Sequence, residues 1–309
     1  MLAPGGEIEG PSPHAALSIE SRALYRDFVR ELEQASGVSI DYQECGALDL
    51  AYSEEELQGL EAKAARQAAL GIQSTPVAPE RVATFWPRVR KEQLAGGRFY
   101  PGDALVNPRD ILTALQTACT RLNVTIRAHS SVSRIALAAD KVTVTARQDE
   151  KTYQAVIVAA GAWSNAIEIL GAPPLPCVEP VRGHLIGYTQ PEQVCNTMLR
   201  HGSAYLLQRA SGLLIAGSTM EHVGFDRHID PELVRGIASR AGFILPHLLE
   251  TAPSETWIGF RPGSDHPHLG SWHSPRLFLA YGHFRNGILL APATARRLTE
   301  EIDASLQTR

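Results

Sequence analysis

The sequence predicts a mixed α/β (α+β) fold built from two discontinuous parts. Three observations carry that prediction. Short apolar, strand-like runs alternate with amphipathic helical patterns along the chain. A run that is apolar on both faces, 155–158, ends in Ala159-Ala160-Gly161. The apolar strand 277–280 enters a turn holding Gly282 and Gly287, and a long helical pattern then continues through Thr299 and Ile302. Interleaving of this kind belongs to sheets that bury a face against helices.

Taken in order, the Pro- and Gly-rich opening, 1–13, is expected to be extended or looped. Leu17, Leu24, Phe28 and Leu32 then recur at helical spacing, and Gly37 supplies a stop. Alternation over 42–50 predicts a strand, and the charged, Ala-rich stretch 54–70 predicts a solvent-facing helix. Pro76, Pro79, Pro87, Gly96 and Gly97 break the segment 72–101 into short strands and turns. Asn107-Pro108-Arg109-Asp110 offers an N-cap, a proline at the first helical position and an acid in the first turn, followed by Ile111, Leu112 and Leu115. Strands are expected at 124–126, 142–145 and 155–158, the last in a central position because both its faces are apolar. A strand-rich region follows at 185–188, 205–208 and 213–216. A helix over 231–245 begins after Asp230 and stops near Pro246, and strands at 257–260 and 277–280 precede the terminal helix.

Composition narrows the function. The 309 residues are 44% hydrophobic, enough for a large core, and carry 29 basic against 33 acidic side chains. That near balance gives no electrostatic case for nucleic acid or an anionic membrane. The longest apolar run, around 155–163, is too short to span a bilayer and no signal peptide opens the chain, so a cytoplasmic protein is expected. Cys45, Cys119, Cys177 and Cys195 have no metal-site or disulfide spacing and read as reduced thiols. His266 and His268 lack nearby cysteines or spaced acids, so no metal is expected.

Two regions are suited to chemistry. At Gly282–Gly287 a strand delivers the chain to a helix N-terminus, where glycines permit close backbone approach and first-turn N–H groups favour a partly negative ligand atom; a plain surface turn has the same local signature. Arg285 lies in that turn, where a positive side chain needs an acidic partner or an anionic ligand. Arg261 follows the apolar run 257–260, and its planar fork matches both oxygens of a carboxylate. Tyr205 sits on a strand-like segment, and Met220 follows Gly217-Ser218-Thr219.

Four segments in one order sharpen this reading: Val156-Ile157-Val158-Ala159-Ala160-Gly161-Ala162-Trp163-Ser164, Pro180-Val181-Arg182-Gly183, Gly259-Phe260-Arg261-Pro262-Gly263 and His283-Phe284-Arg285-Asn286-Gly287-Ile288-Leu289-Leu290-Ala291-Pro292. Together the set resembles the glycine oxidases, within the D-amino acid oxidase-like flavoproteins. The opening Met1-Leu2-Ala3-Pro4 is similar to a segment that lies well inside members of that family. The resemblance implies an FAD-binding part, Rossmann-like but incomplete, over 1–40, 98–180 and 256–309. It also implies a substrate domain with an antiparallel or mixed sheet over 41–97 and 181–255.

It further implies that Arg261 holds the substrate carboxylate, that Tyr205 adds a hydrogen bond, that Met220 walls the pocket, and that Arg285 lies on the substrate or flavin side. Flavin contacts are implied for Ala160, Gly161, Trp163, His283, Phe284, Arg285, Asn286, Gly287 and Ile288. The expected reaction passes the Cα hydride of a small amino acid, glycine first, to flavin N5. The imine then hydrolyses to an oxo acid and ammonia, and molecular oxygen takes the electrons to give hydrogen peroxide. A place in thiamine thiazole synthesis and a homo-oligomer are also implied. A D-amino acid or sarcosine oxidase or dehydrogenase, and an inactive binding or structural protein, are the alternatives. The sequence contains no Gly-X-Gly, whereas the family's fingerprint Gly-X-Gly-X-X-Gly cradles the pyrophosphate of FAD. The expectation is therefore a chain without the family's first few dozen residues, holding FAD weakly or not at all.

Overall fold

A computed structural model describes residues 1–190, 192 and 196–307, so Cys195 lies outside the described residues. Three long helices form one body. Ser12 caps the first, Pro13–Ser36, by accepting from the Ala15 amide at 3.0 Å, and Gly37 ends it in the left-handed region, donating to Glu33 O at 2.7 Å. Asn107 caps Pro108–Arg121 through the Arg109 amide, as its sequence pattern requires. The third helix, Gly287–Gln307, carries Pro292 inside it. Proline has no N–H for the carbonyl four residues back, Ile288 O, and the Tyr25 hydroxyl supplies that donor instead. The Ala293 amide donates to Ser21 Oγ at 3.1 Å. Both bonds come from Pro13–Ser36, so the start of the terminal helix is fixed by its neighbour. Leu17, Val29, Leu32, Ile111, Leu289 and Leu290 bury the seam between the three.

Among the described residues the largest sheet has eight strands, in the spatial order Glu255–Gly263, Glu179–Thr189, Leu213–Gly217, Ala204–Gln208, Met198–His201, Ala47–Ala51, Gly96–Tyr100 and Thr75–Val77. All neighbours pair antiparallel except Met198–His201 with Ala47–Ala51. One face packs Ile186, Tyr188, Leu206 and Leu214 against Ile237, Ala241 and Ile244 of the helix Pro231–Ile244, whose N-cap is Asp230. The opposite face presents Tyr205, Leu207, Ile215, Leu185 and Trp257, and this is the face that meets the site. A four-stranded sheet (Glu168–Leu170, Val132–Leu137, Val142–Ala146, Asp149–Tyr153) packs Ile135 and Val142 against Val158, Leu277 and Leu279 of a three-stranded one (His268–Ser271, Leu277–Tyr281, Val156–Val158).

Several expectations need correction. The opening is not wholly looped: Pro4–Glu7 makes one helical turn, tied down by Asp103 Oδ1 accepting from the Gly5 amide at 2.9 Å and by Gln67 Nε2 donating to Gly5 O and Ile8 O. Residues 124–126 form no strand. Val124 and Ile126 are about half exposed, and among the described residues no neighbouring backbone offers a ladder. Val156–Val158 pairs, among the described residues, with Leu277–Tyr281 alone, so it is an edge rather than a centre and Ile157 is 47% exposed. Among the described residues no helix is long and apolar enough to cross a membrane.

Candidate active site

Strand alternation places residues two apart on one face, and the sheet register turns that rule into a floor. Tyr205 stands opposite Gly217, Gly217 opposite Leu185, and Leu185 opposite Trp257. Two glycines in this floor have a steric reason. A Cβ at Gly183 would collide with the Arg261 guanidinium, and one at Gly217 would lie 2.7 Å from the Tyr205 hydroxyl. Gly183 and Gly217 therefore leave room for the two polar groups, which project over bare backbone.

Above the floor is a cavity of about 630 Å³, bounded by Met1, Ala3 and Glu7 on one side and by Arg285, Asn286 and Ile288 of the turn on another. A second cavity, of about 470 Å³, meets it at Tyr205, Ser218, Arg261 and Arg285 and adds Met220 and Lys63. The structure thus gathers Arg261, Tyr205, Met220 and Arg285 around one space. Met220 is 57% exposed and belongs to the outer part.

Arg261 is partly buried. Its Nη1 donates to Thr219 O at 3.1 Å and its Nη2 to Ser218 Oγ at 3.2 Å. No carboxylate of a described residue lies within ion-pair distance of it; burial first, with the Arg285 charge adding, holds its pKa below the usual guanidinium value. Burial likewise pushes the Tyr205 hydroxyl up to about 12, against the pull of Arg261, Arg285 and Arg209. A neutral phenol able to donate, beside a cation with no anion among the described residues, has the chemistry to receive a carboxylate.

Arg285 differs. It is exposed and pairs with Glu7 at 3.1 Å, so the acid that its position demanded comes from the opening of the chain. Asn286 Nδ2 lies 3.0 Å from His14 Nε2, pinning the turn to the first helix. His283 is not poised for proton transfer. Burial, then His14 and His268, lowers its pKa to about 4, and its Nε2 contacts Thr294 Oγ1 at 3.1 Å. Phe284 has φ 48° and leads into the helix that starts at Gly287.

The other expected flavin contacts fall elsewhere. Ala160 and Trp163 border a separate apolar cleft with Ile157 and Ile167, and Trp163 stacks on Phe225 with ring centroids 5.2 Å apart. Gly161, at φ 57°, opens the short helical turn between them. Sequence reasoning missed Ser218, Thr219, Trp257, Arg209 and Glu7 as cavity residues; the signal was present in Gly217-Ser218-Thr219, where a small residue next to two hydroxyls marks close packing around polar atoms. Among the described residues no group of three His, Cys, Asp or Glu side chains is placed to hold a metal ion.

Residues 1–301 match the family described as DAO, FAD dependent oxidoreductase. The chain belongs to this family. It is 33% identical over 314 residues to the bifunctional protein ThiO/ThiG of Synechocystis sp., covering 98% of this chain and 44% of that protein. It is 27% identical to the glycine oxidase of Geobacillus kaustophilus, covering 98% of this chain and 81% of the relative. The crystal structure of that glycine oxidase superposes with a TM-score of 0.90 over 98% of this chain and 82% of the solved one. The chain thus spans under half the length of the bifunctional relative and about four fifths of the glycine oxidase.

The cavity provides a test of the family's cofactor. The turn Phe284–Asn286 and the helix start at Gly287 border the 630 Å³ space through Arg285, Asn286 and Ile288, and the first-turn N–H groups of a helix would suit the negative charge that a reduced flavin gathers, so these residues fit the flavin end of FAD. The pyrophosphate end has no Gly-X-Gly turn in this sequence to receive it.

Proposed function

We propose that this chain carries the substrate-binding apparatus of an FAD-dependent glycine oxidase. The observation that carries the reading is Arg261, a partly buried cation with no carboxylate of a described residue in ion-pair range, lining the same cavity as Tyr205. In this reading a two-oxygen anion accepts from the outer edge of Arg261 and from Tyr205. That fixes the Cα of a small amino acid over the floor, between the sheet and the turn Phe284–Asn286. Leu185, Ile215 and Trp257 give this space an apolar wall. Bound flavin would supply the hydride acceptor, and Arg285, Asn286, Gly287 and Ile288 are the residues proposed to hold its ring. No side-chain base is assigned, since His283 is neutral and turned to Thr294. The likeness to glycine oxidases over nearly the whole chain supports glycine as substrate and oxygen as electron acceptor, with ammonia, glyoxylate and hydrogen peroxide as products.

The ThiO/ThiG likeness supports a role in supplying thiamine thiazole synthesis. The division into an FAD-binding part (1–40, 98–180, 256–309) and a substrate part (41–97, 181–255), a cytoplasmic location and self-association belong to the same proposal. The test is peroxide and glyoxylate formation from glycine by the protein supplied with FAD. Production that tracks glycine, and is abolished by Arg261→Ala, supports the reading; FAD-loaded protein inert to glycine and to other small amino acids overturns it.

A further inference from the structure

Behind Arg261 lies a buried polar network that the proposed chemistry does not use. The segment Ser218–Glu221 runs along Glu179–Thr189, with the Arg182 and Glu221 backbones exchanging hydrogen bonds of 2.9 Å each. Glu221 Oε2 accepts from Arg182 Nε at 2.6 Å, and Oε1 lies 2.8 Å from His184 Nδ1 and also accepts from the Thr219 hydroxyl. The amide of Asp230 donates to His184 Nε2 at 3.0 Å, so the network assigns the imidazole proton to Nδ1, directed at Glu221. Thr219 Oγ1 in turn accepts from the His184 amide at 2.7 Å. Arg182 Nη1 reaches Asp226 Oδ2 at 2.6 Å and His228 O at 2.9 Å, closing the loop beyond. Arg182 is 5% exposed and His184 fully buried. Burial raises the Glu221 pKa, but the hydrogen bonds from Thr219, His184 and Arg182 outweigh it and hold the carboxyl below its usual range.

Thr219 joins this network to the cavity. Its hydroxyl is gripped by Glu221 and His184, while its carbonyl, on the other side of the backbone, receives Arg261 Nη1. The floor beneath the guanidinium is Gly183, which supplies space and no polar side chain. Rotation of the fork is therefore set by Thr219 O and Ser218 Oγ alone among the described residues. A bidentate anion site requires that rotation to be fixed in advance, since a guanidinium free to turn must be ordered at the expense of affinity. Resting on the reading of Arg261 as a carboxylate anchor, we infer that Thr219 and Glu221 are positioning residues, which through the Thr219 carbonyl aim the free edge of Arg261 at Tyr205.

The test uses the full 309-residue protein, with and without added FAD, and glycolate as a carboxylate that carries no amine. Thr219→Val removes the hydroxyl at nearly constant shape. It should weaken glycolate binding and raise KM for glycine about tenfold, with kcat within about twofold, whereas Thr219→Ser should restore affinity. On an Arg261→Lys background the Thr219→Val loss should vanish, because the coupling runs through the guanidinium. Additive losses, or unchanged glycolate affinity in Thr219→Val, overturn the inference. A second readout needs no ligand: phenylglyoxal labelling of Arg261, mapped by peptide mass, should be about tenfold faster in Glu221→Gln with Arg296 labelling unchanged. An unchanged Arg261 rate overturns the positioning role. Faster labelling in a protein that neither binds glycolate nor oxidises glycine leaves the positioning role standing and removes the proposed function instead.

Discussion

Arg261 and Arg285 border the same cavity, and their surroundings differ in kind. Arg261 is held by a carbonyl and a hydroxyl and has no acid among the described residues within ion-pair distance, which is why a ligand anion is proposed to complete it. Arg285 is exposed and already has Glu7. A solvent-screened pair of the second type contributes about 0–1 kcal/mol, whereas a desolvated cation without its anion is a standing cost that binding relieves. The difference teaches that two arginines with equal claims from sequence motifs are separated by what already neutralises them.

Removing the support behind Arg261 should have the largest effect. Arg182→Ala leaves Glu221 without its guanidinium, and loss of one partner of such a buried pair costs about 3–5 kcal/mol, read from the urea midpoint. A wild-type midpoint would show that the network is not structural at all. Arg261→Ala should lower kcat/KM for glycine by roughly 2–5 kcal/mol of transition-state binding in the FAD-loaded protein. Unchanged efficiency would transfer the anchor role to Arg285.

The turn end answers to pH. With a folded pKa of about 4 against about 6.5 unfolded, His283 binds more protons in the unfolded chain between those values. Stability is therefore complete above about pH 6.5 and falls as pH drops toward 4, by up to about 3 kcal/mol. His283→Gln should flatten that part of the urea-midpoint profile, and a profile that keeps its slope would place the titration in another group. Tyr205→Phe should weaken glycolate binding by about 0.5–1.5 kcal/mol, the net worth of one hydrogen bond. Calorimetry showing no change would leave the tyrosine as a wall. The smallest effect is expected at Arg285: Glu7→Gln should alter stability by at most about 1 kcal/mol, and a larger loss would mean the two arginines are more alike than their exposure indicates.

Local rules written in consecutive residues were legible. Asn107 and Asp230 announce helices that the chain makes, and the strands at 205–208 and 213–216 form where they were expected. Non-local chemistry was not. Arg285 and Glu7 are 278 positions apart, and only the fold brings the opening turn against the terminal helix. Gly183 and Gly217 look like ordinary strand glycines until the Arg261 and Tyr205 side chains are laid over them. Val124 and Ile126 misled because β-branched residues score as strand whether or not a neighbouring backbone is there to pair with. Glu221 is invisible as a functional residue in sequence because its influence on the cavity passes through the backbone of Thr219.

The central claim is that the cavity was built around a carboxylate held by Arg261 and Tyr205. Crystals of the protein soaked with glycolate test it most directly. The account predicts both carboxylate oxygens within hydrogen-bond distance of the outer edge of Arg261 and the Tyr205 hydroxyl, with the Arg285–Glu7 pair intact. A carboxylate seated on Arg285 with Glu7 displaced, and Arg261 still facing an empty floor, would contradict it.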